Sequence, residues 1–157
     1  MSIERARAHL EKYGLSDKIR ECEVSSATVA LAAAALGTEE ARIAKTLSFS
    51  LGDEAILVVA AGDAKVNNQK YKEFFAKKAK MLQFEEVESL IGHAVGGVCP
   101  FGINEGVKVY LDESLRRFEV VYPAAGTAAS AVELTVAELE RASEAVGWID
   151  VTTVPEN

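Results

Sequence analysis

Cysteine, histidine and proline are scarce in this chain of 157 residues, with two, two and three of each. Two cysteines, Cys22 and Cys99, cannot build a disulfide framework, so we expect two free thiols. Two histidines and these cysteines form no recognisable ligand set, so we expect no metal and no other cofactor. The sequence also lacks a Walker loop, a strand followed by G-x-G-x-x-G, and a G-x-S-x-G elbow. It therefore has no motif of the nucleotide-binding or α/β-hydrolase folds.

Long hydrophobic runs are missing as well. The longest uninterrupted one, Val29 to Leu36, has eight residues, whereas a membrane helix needs about 20. The first residues, Met1 to Arg7, carry charges from the start and have no apolar segment typical of a signal peptide. We therefore expect a cytoplasmic protein with no membrane partner.

The composition is that of a globular protein, with 49% hydrophobic and 26% charged residues, and we expect one domain over residues 1–157. The net charge of −7 argues against general binding to nucleic acids. Residues 65–80, which we call the basic segment, nevertheless hold six lysines and one acid, a local charge of +5. This segment is either a solvated face or a surface that contacts a few phosphates, and charge alone slightly favours the first.

Hydrophobic periodicity predicts a chain of paired strands with scattered helices. The predicted helices are Ile3–Tyr13, Thr28–Leu36 with Ser26 or Thr28 as cap, a turn at Glu39–Ala44, Asn68–Ala76 with Tyr71, Phe74 and Phe75 inward, Glu85–Ile91, and Thr135–Val146. The predicted strands are Ile19–Val24, Lys45–Leu51, Ala55–Ala61, Lys80–Phe84, the pair Val107–Leu111 and Phe118–Tyr122, Ala131–Leu134, and Trp148–Val151. This order indicates an α+β fold with a mixed or largely antiparallel sheet.

Two features could carry chemistry. Lys45 begins an alternating strand and shares a face with Leu47 and Phe49, so it either points inward and needs an anion or extends outward at the strand end. The loop Gly92–Gly102 holds four glycines and a proline. Its backbone can approach a ligand closely and can offer N–H groups to an oxyanion, or it can be a structural turn. Within this loop, a Cys99–His93 nucleophilic pair is conceivable, but a buried free thiol is the favoured interpretation.

These residues occur in an order that resembles the YbaK/EbsC family, the aminoacyl-tRNA editing domain also found inserted in bacterial prolyl-tRNA synthetases. The similarity spans essentially the whole chain and rests on four segments: Ala44–Phe49, Ala60–Asn67, Gly92–Gly102, and Gly126 ahead of Val132–Leu134. The lysine strand and the G-x-x-x-G-G-V-x-P-F-G loop are specific in combination. One departure is that residues 126–130 contain no histidine, which some alanine-specific members have near this motif.

The resemblance implies a mixed, barrel-like sheet flanked by helices and an enzyme that hydrolyses the ester of a mischarged tRNA, usually in trans. The implied partners are the 3′ acceptor end of an aminoacyl-tRNA and an aminoacyl-tRNA synthetase. It further implies catalytic roles for Lys45, Gly96, Gly97 and Gly102. The implied substrate contacts are Thr46, Val98, Cys99, Pro100, Phe101, Gly126 and Thr127. Candidate tRNA-binding residues are Lys70, Lys72, Lys77, Lys78 and Lys80.

Two other functions stay open at this point. The same fold could serve as a non-catalytic module that binds tRNA or a protein, since fold alone does not establish activity. A thiol hydrolase that uses Cys99 and His93 is a remote third interpretation. An aminoacyl ester is already activated, so an editing enzyme needs no protein nucleophile; it must hold the ester, orient water and stabilise the oxyanion.

Overall fold

A computed structural model describes residues 2–21 and 28–155 of the chain. The α-helices in these residues are α1 (Ser2–Glu11), α2 (Val29–Leu36), α3 (Asn68–Phe75), α4 (Phe84–Ile91) and α5 (Val136–Ala142). The strands are β1 (Ile19–Glu21), β2 (Ile43–Leu51), β3 (Glu54–Ala61), β4 (Lys65–Val66), β5 (Lys108–Asp112), β6 (Val120–Pro123), β7 (Ser130–Val132), β8 (Leu134–Thr135), β9 (Gly147–Ile149) and β10 (Thr152–Thr153). None of the helices in these two ranges has the length and apolarity that a membrane crossing requires.

The main sheet has six strands in the order β8-β6-β2-β3-β5-β9. Its centre is the β2–β3 hairpin, an antiparallel ladder in which Lys45 lies opposite Ala60. The neighbouring pairs β2–β6, β3–β5 and β5–β9 are parallel, and β6–β8 is antiparallel. The sheet is curled into a half-barrel and flanked by the helices. The predicted α+β class with a mixed, barrel-like sheet is confirmed, and the share of parallel pairs rules out a largely antiparallel sheet.

One predicted strand pair does not form. The segments Val107–Leu111 and Phe118–Tyr122 become β5 and β6, but β5 pairs with β3 and β9, whereas β6 pairs with β2 and β8. A 3-10 helix at Glu113–Arg117 carries the chain from one side of the central hairpin to the other. The two strands therefore cannot be neighbours, and the prediction of a second pair is wrong.

The core lies on both faces of β3, as its continuous apolar run predicts, and Ile56 to Ala61 are fully buried. The main core packs residues of β3 against α1, α4 and α5 through Leu10, Ile91 and Leu139. A smaller cluster on the other face joins Phe49 of β2 to Tyr71 of α3 and Ile149 of β9. The two clusters fix the hairpin rigidly, and with it the position of Lys45.

Several predicted boundaries need correction. Lys80–Phe84 is not a strand: only Met81 forms a bridge, to Phe49, and Phe84 already begins α4. Phe74 is 52% exposed and not inward, although Tyr71 is fully buried. The closing helix ends at Ala142, four residues early, because the chain turns through Glu144 with a φ of 55°.

In the N-terminal part of the chain, the predicted cap, turn and strand are confirmed in part. Thr28 caps α2 by accepting a hydrogen bond from the Leu31 N–H at 3.1 Å, and Gly37 ends the helix. The predicted turn at Glu39–Ala44 is a 3-10 helix over Glu40–Arg42, after which β2 starts at Ile43. Ser26, Cys22 and the end of the predicted strand Ile19–Val24 lie outside the described residues.

Candidate active site

A cavity of about 450 Å³ opens beside the first half of β2. Its walls come from α2, β2, α4, the loop after α4, and the chain from β6 to β7. Most of the lining is apolar; the polar members in the described residues are Thr28, Lys45, Thr46, Ser48, Tyr122 and Ser130. A concave, mostly apolar site with a few convergent polar groups is typical of a small-ligand site.

The cavity exists because β2 has a gap along one edge. On that edge β6 pairs with β2 only at Ile43 and Ala44. Residues Lys80–Leu82, which we call the Met81 segment, contact the same edge of β2 only from Ser48 onward. The Ser48 carbonyl accepts from the Leu82 N–H and the Ser50 N–H donates to the Lys80 carbonyl, which shows that even-numbered residues face this edge. Strand alternation therefore directs the backbone N–H and C=O of Thr46 to the same edge, where no described strand pairs with them.

The Thr46 hydroxyl adds a third polar group at this gap. It is buried, it belongs to a residue that lines the cavity, and it has no hydrogen-bond partner among the described residues. A buried hydroxyl without a partner is costly unless a ligand or water completes it. Thr46, predicted as a substrate contact, thus lies on the cavity wall with its hydrogen-bonding capacity unused.

Lys45 lines the cavity and is half-buried. Its ammonium donates hydrogen bonds to the carbonyls of Ala64 and Gly62, the latter at 3.4 Å. Burial lowers the pKa of this ammonium below its ordinary value, the Asp63 carboxylate opposes the shift, and Lys65 adds to it. Lys45 is therefore neither buried without partners nor extended into solvent; it is held at the turn that follows β3.

Sequence reasoning included Asp63 in the family segment Ala60–Asn67 but missed an ion pair there. Arg117 donates to both carboxylate oxygens of Asp63, at 3.1 and 2.5 Å. These hydrogen bonds hold the pKa of Asp63 below its usual range, against the effect of burial. Asp63 lies in sequence between the two residues whose carbonyls hold Lys45, and its charge acts on the ammonium. Asp63 and Arg117 therefore belong to the surroundings of the lysine.

The glycine-rich loop divides into two parts with different surroundings. Gly96, with a φ of 95°, and Val98 line the cavity. Gly97 packs against Gly126: a Cβ on Gly97 would lie 2.6 Å from the carbonyl oxygen of Gly126 and from the N–H nitrogen of Thr127. The Gly97 N–H already donates to the Ala94 carbonyl at 3.0 Å. Gly97 therefore provides close packing, and the loop residues on the cavity side are Val95, Gly96 and Val98.

The rest of the loop lies behind this wall. Cys99, Pro100 and Phe101 are buried and are not part of the cavity lining. A Cβ on Gly102 would collide with the Arg5 carbonyl of α1, so this glycine permits the loop to pack on a helix. The structure thus places these four predicted site residues outside the cavity lining, where they hold the loop against the rest of the protein.

The Cys99–His93 pair is close but poorly suited to nucleophilic catalysis. The His93 Nε2 lies 2.6 Å from the Phe101 carbonyl, which can only accept, so Nε2 carries the proton in the neutral ring. The thiol, 3.5 Å from the same nitrogen, therefore has no base there. Burial raises the pKa of Cys99 to about 12 and lowers the pKa of His93. Both groups favour their neutral forms.

Residues 124–131 border the cavity, and we call them the third wall. The predicted residues Gly126 and Thr127 belong to this wall but do not line the cavity. Ala124, Ser130 and Ala131 line the cavity, whereas Gly126 contacts Gly97 and Thr127 closes a local turn. In this turn the Thr127 hydroxyl donates to the Ser130 Oγ at 2.9 Å. Ser130 was missed by sequence reasoning, because a serine before a short strand carries no distinctive signal.

Most candidate tRNA-binding lysines of the basic segment form no ion pair with the described residues. Lys72, Lys77, Lys78 and Lys80 are exposed and form no ion pair with the described residues. Lys70 differs: it pairs with Asp150 at 3.0 Å and donates to the Thr152 carbonyl at 2.8 Å. Four of the five candidate tRNA contacts therefore have charge available for a ligand, and Lys70 has a structural partner.

Comparisons with known proteins show which family the chain is similar to. The family model of the aminoacyl-tRNA editing domain matches residues 23–142. The uncharacterized protein YwhH of Bacillus subtilis (strain 168) is 49% identical over 152 residues, 96% of this chain and 97% of YwhH. The proline–tRNA ligase of Bacillus cytotoxicus is 32% identical over 71% of this chain, which spans only 19% of that enzyme.

Among solved structures, that of a proposed trans-editing enzyme for prolyl tRNA synthetase superimposes with a TM-score of 0.87. It has 31% sequence identity and 97% of each chain is covered. The family resemblance found in the sequence motifs is thus confirmed by sequence and by structure. This chain belongs to the aminoacyl-tRNA editing domain family.

Proposed function

We propose that this protein is a trans-acting deacylase that hydrolyses the ester between an amino acid and the 3′ end of a mischarged tRNA. The substrate would be tRNA-Pro, or another tRNA that carries a small amino acid. The observation that carries the proposal is the convergence of Lys45, the open strand edge at Thr46 and the backbone of Gly96 on one mostly apolar cavity. The editing-domain relatives, one of them a proline–tRNA ligase, support the same activity and the same class of tRNA.

The reaction needs little from the protein beyond positioning and charge stabilisation. Water attacks the ester carbonyl carbon, a tetrahedral oxyanion forms, and the bond to the ribose oxygen breaks. The products are a free amino acid and a tRNA with a free terminal hydroxyl. A ribose hydroxyl or a held water would accept and return the proton. No covalent enzyme intermediate is required, consistent with the high pKa of the Cys99 thiol.

Lys45 would bind the phosphate of the terminal adenosine or the region of the ester carbonyl. An ammonium has three N–H donors, and Lys45 uses two of them on the carbonyls of Gly62 and Ala64. The third is left for a ligand. Because those carbonyls and the nearby Asp63 hold the group in place, the charge would already be positioned when substrate arrives.

The oxyanion would be stabilised by backbone N–H groups of the glycine-rich loop. The structure favours Gly96 and Val98 over the other predicted residues, because they line the cavity and because the Gly97 N–H is occupied by Ala94. The free polar groups of Thr46 would hold the α-amino or carbonyl group of the aminoacyl moiety. Apolar walls formed by Ile43, Val87 and Ala131 would take a small aliphatic side chain.

The alternative is a module that binds charged tRNA, or a synthetase, without turnover. A deacylation screen separates the two: tRNA-Pro and a panel of other tRNAs, each charged with one small amino acid, are incubated with the protein and the loss of ester is followed. We expect hydrolysis of at least one mischarged tRNA well above the spontaneous rate, and little hydrolysis of prolyl-tRNA-Pro. Binding of these tRNAs with no hydrolysis above the spontaneous rate would favour the binding module.

A further inference from the structure

Three large apolar side chains are exposed together at the mouth of the cavity. Met81 is 55% exposed, Phe84 73% and Val95 47%, and all three belong to the cavity lining. A single exposed apolar residue is ordinary, but a group of them at the edge of a binding site indicates that a ligand covers it. Phe84 is the most exposed of the large apolar residues in the described part of the chain.

The backbone holds this group rigidly. The Met81 segment is tied to the end of β2 by hydrogen bonds of 2.8 Å, from Ser50 N–H to the Lys80 carbonyl, and 3.1 Å, from Leu82 N–H to the Ser48 carbonyl. A capping box between Gln83 and Glu86 then fixes Phe84 as the first residue of α4. The ring is thus kept in solvent by a defined backbone, as a preformed surface would be.

Charge indicates which ligand fits there. Lys77, Lys78 and Lys80 come directly before Met81, and all three are exposed. Three acids follow Phe84 in α4, namely Glu85, Glu86 and Glu88, and Glu86 accepts a hydrogen bond in the capping box. The three lysines precede the ring, on the side of the segment that holds Met81. A flat aromatic ring beside several cations is the usual surface for single-stranded nucleic acid, because bases stack on rings while lysines contact phosphates.

We propose that Phe84 is the stacking platform for the base of the terminal nucleotide, with Met81 and Val95 beside it and Lys80 toward the preceding phosphate. This inference rests on the proposed function, since it assigns the part of the substrate that emerges from the cavity. It also gives Phe84 a role in binding and none in the chemistry of ester hydrolysis. Loss of the ring should therefore weaken substrate binding and leave turnover nearly unchanged.

The first test does not depend on catalysis. An uncharged RNA hairpin ending in single-stranded CCA carries 2-aminopurine in place of the terminal adenine, and its fluorescence is titrated with protein. We expect quenching by the wild type and by Phe84→Trp, and loss of quenching with Phe84→Ala and Phe84→Leu. Leu90→Ala is the matched control, because Leu90 is a 43% exposed residue of the same helix outside the cavity lining. Equal quenching by Phe84→Ala and the wild type would overturn the proposal.

The second test uses the charged tRNA that the screen identifies. We expect Phe84→Ala to raise KM by about 5- to 50-fold, as loss of one base-stacking contact does, with kcat within about threefold. The effect should vanish on the same aminoacyl group esterified to a small alcohol that has no base. A monomer–dimer shift in sedimentation caused by Phe84→Ala would instead identify the rim as a self-association surface and overturn the proposal. Absence of any deacylation by the wild type would contradict the proposed function and leave the fluorescence result to decide on Phe84.

Discussion

Gly97 lies so close to Gly126 that a Cβ atom on Gly97 would be 2.6 Å from the Gly126 carbonyl oxygen. This approach joins two loops that are far apart in the sequence, the glycine-rich loop and the third wall of the cavity. The neighbouring residues Gly96 and Val98 face the cavity on one side of this contact. The contact therefore sets how the loop presents its backbone to a ligand.

Gly97→Ala should accordingly damage the site. The atoms that a methyl group would meet are backbone atoms, which cannot rotate away, so we expect a loss of about 1–3 kcal/mol of stability and at least a tenfold loss of deacylation. Gly147→Ala is the control, because a Cβ there meets nothing within 4 Å. Thermal unfolding and single-turnover deacylation should both be near normal for the control. Normal activity of a well-folded Gly97→Ala variant would show that the close approach is not needed.

Cys99→Ser should retain most of the deacylation activity. The thiol is fully buried, its pKa is raised to about 12 by burial, and the adjacent His93 Nε2 donates to the Phe101 carbonyl. In a Cys22→Ser background, Cys99 should not react with a thiol reagent at pH 8 until denaturant is added. A rate loss of several orders of magnitude in folded Cys99→Ser would instead support a thiol nucleophile.

The basic segment should control binding of tRNA more than turnover. Replacement of Lys77, Lys78 and Lys80 by alanine should raise KM for the charged tRNA more than it lowers kcat, because phosphate contacts bind ground and transition states alike. The slope of log affinity against log salt should become less negative by about 2, at roughly 0.7 per contact. Lys108→Ala, an exposed lysine of β5, is the control. An unchanged affinity and slope would identify the segment as a solvated face.

Asp63→Asn should shift the pH dependence of deacylation. Asp63 raises the pKa of Lys45, whereas burial lowers it, so loss of this carboxylate charge leaves the ammonium easier to deprotonate. The alkaline fall in kcat/KM, corrected for spontaneous hydrolysis, should therefore occur at lower pH than in the wild type. Asp53→Asn, the same change in the exposed hairpin turn, should not move it. A wild-type alkaline limb in Asp63→Asn would show that the charge of Lys45 does not govern that limb.

The parts of this structure that local patterns encode were predictable. Alternation and a continuous apolar run gave the β2–β3 hairpin, and the lysine strand with the glycine-rich loop gave the family. The ion pair of Asp63 and Arg117 was not predictable, because the two residues are 54 apart and their pairing depends on how the chain crosses the sheet after β5. The same crossing separates β5 from β6, which local periodicity cannot reveal.

The same contrast between local pattern and chain path applies to the side chains of the site. Lys45 and Thr46 were predicted from the lysine strand that carries the family resemblance and both line the cavity, whereas Cys99, Pro100 and Phe101 share a motif with Gly96 yet lie behind the wall. A loop motif shows that its residues act together but not which of them face the ligand. Phe84 was missed for a related reason: the local pattern placed it at the end of a strand, Lys80–Phe84, whereas it begins α4, where its exposure depends on the neighbouring segment.

The central claim is that Lys45 acts in ester hydrolysis from a position fixed by the turn after β3. The most direct measurement is the single-turnover deacylation rate of a mischarged tRNA by the wild type and by Lys45→Ala, with Lys108→Ala as an exposed lysine control from β5. We predict a loss of at least two orders of magnitude for Lys45→Ala, with circular dichroism and thermal unfolding showing an intact fold, and near-normal activity for the control. Near-normal deacylation by a well-folded Lys45→Ala variant would contradict the account.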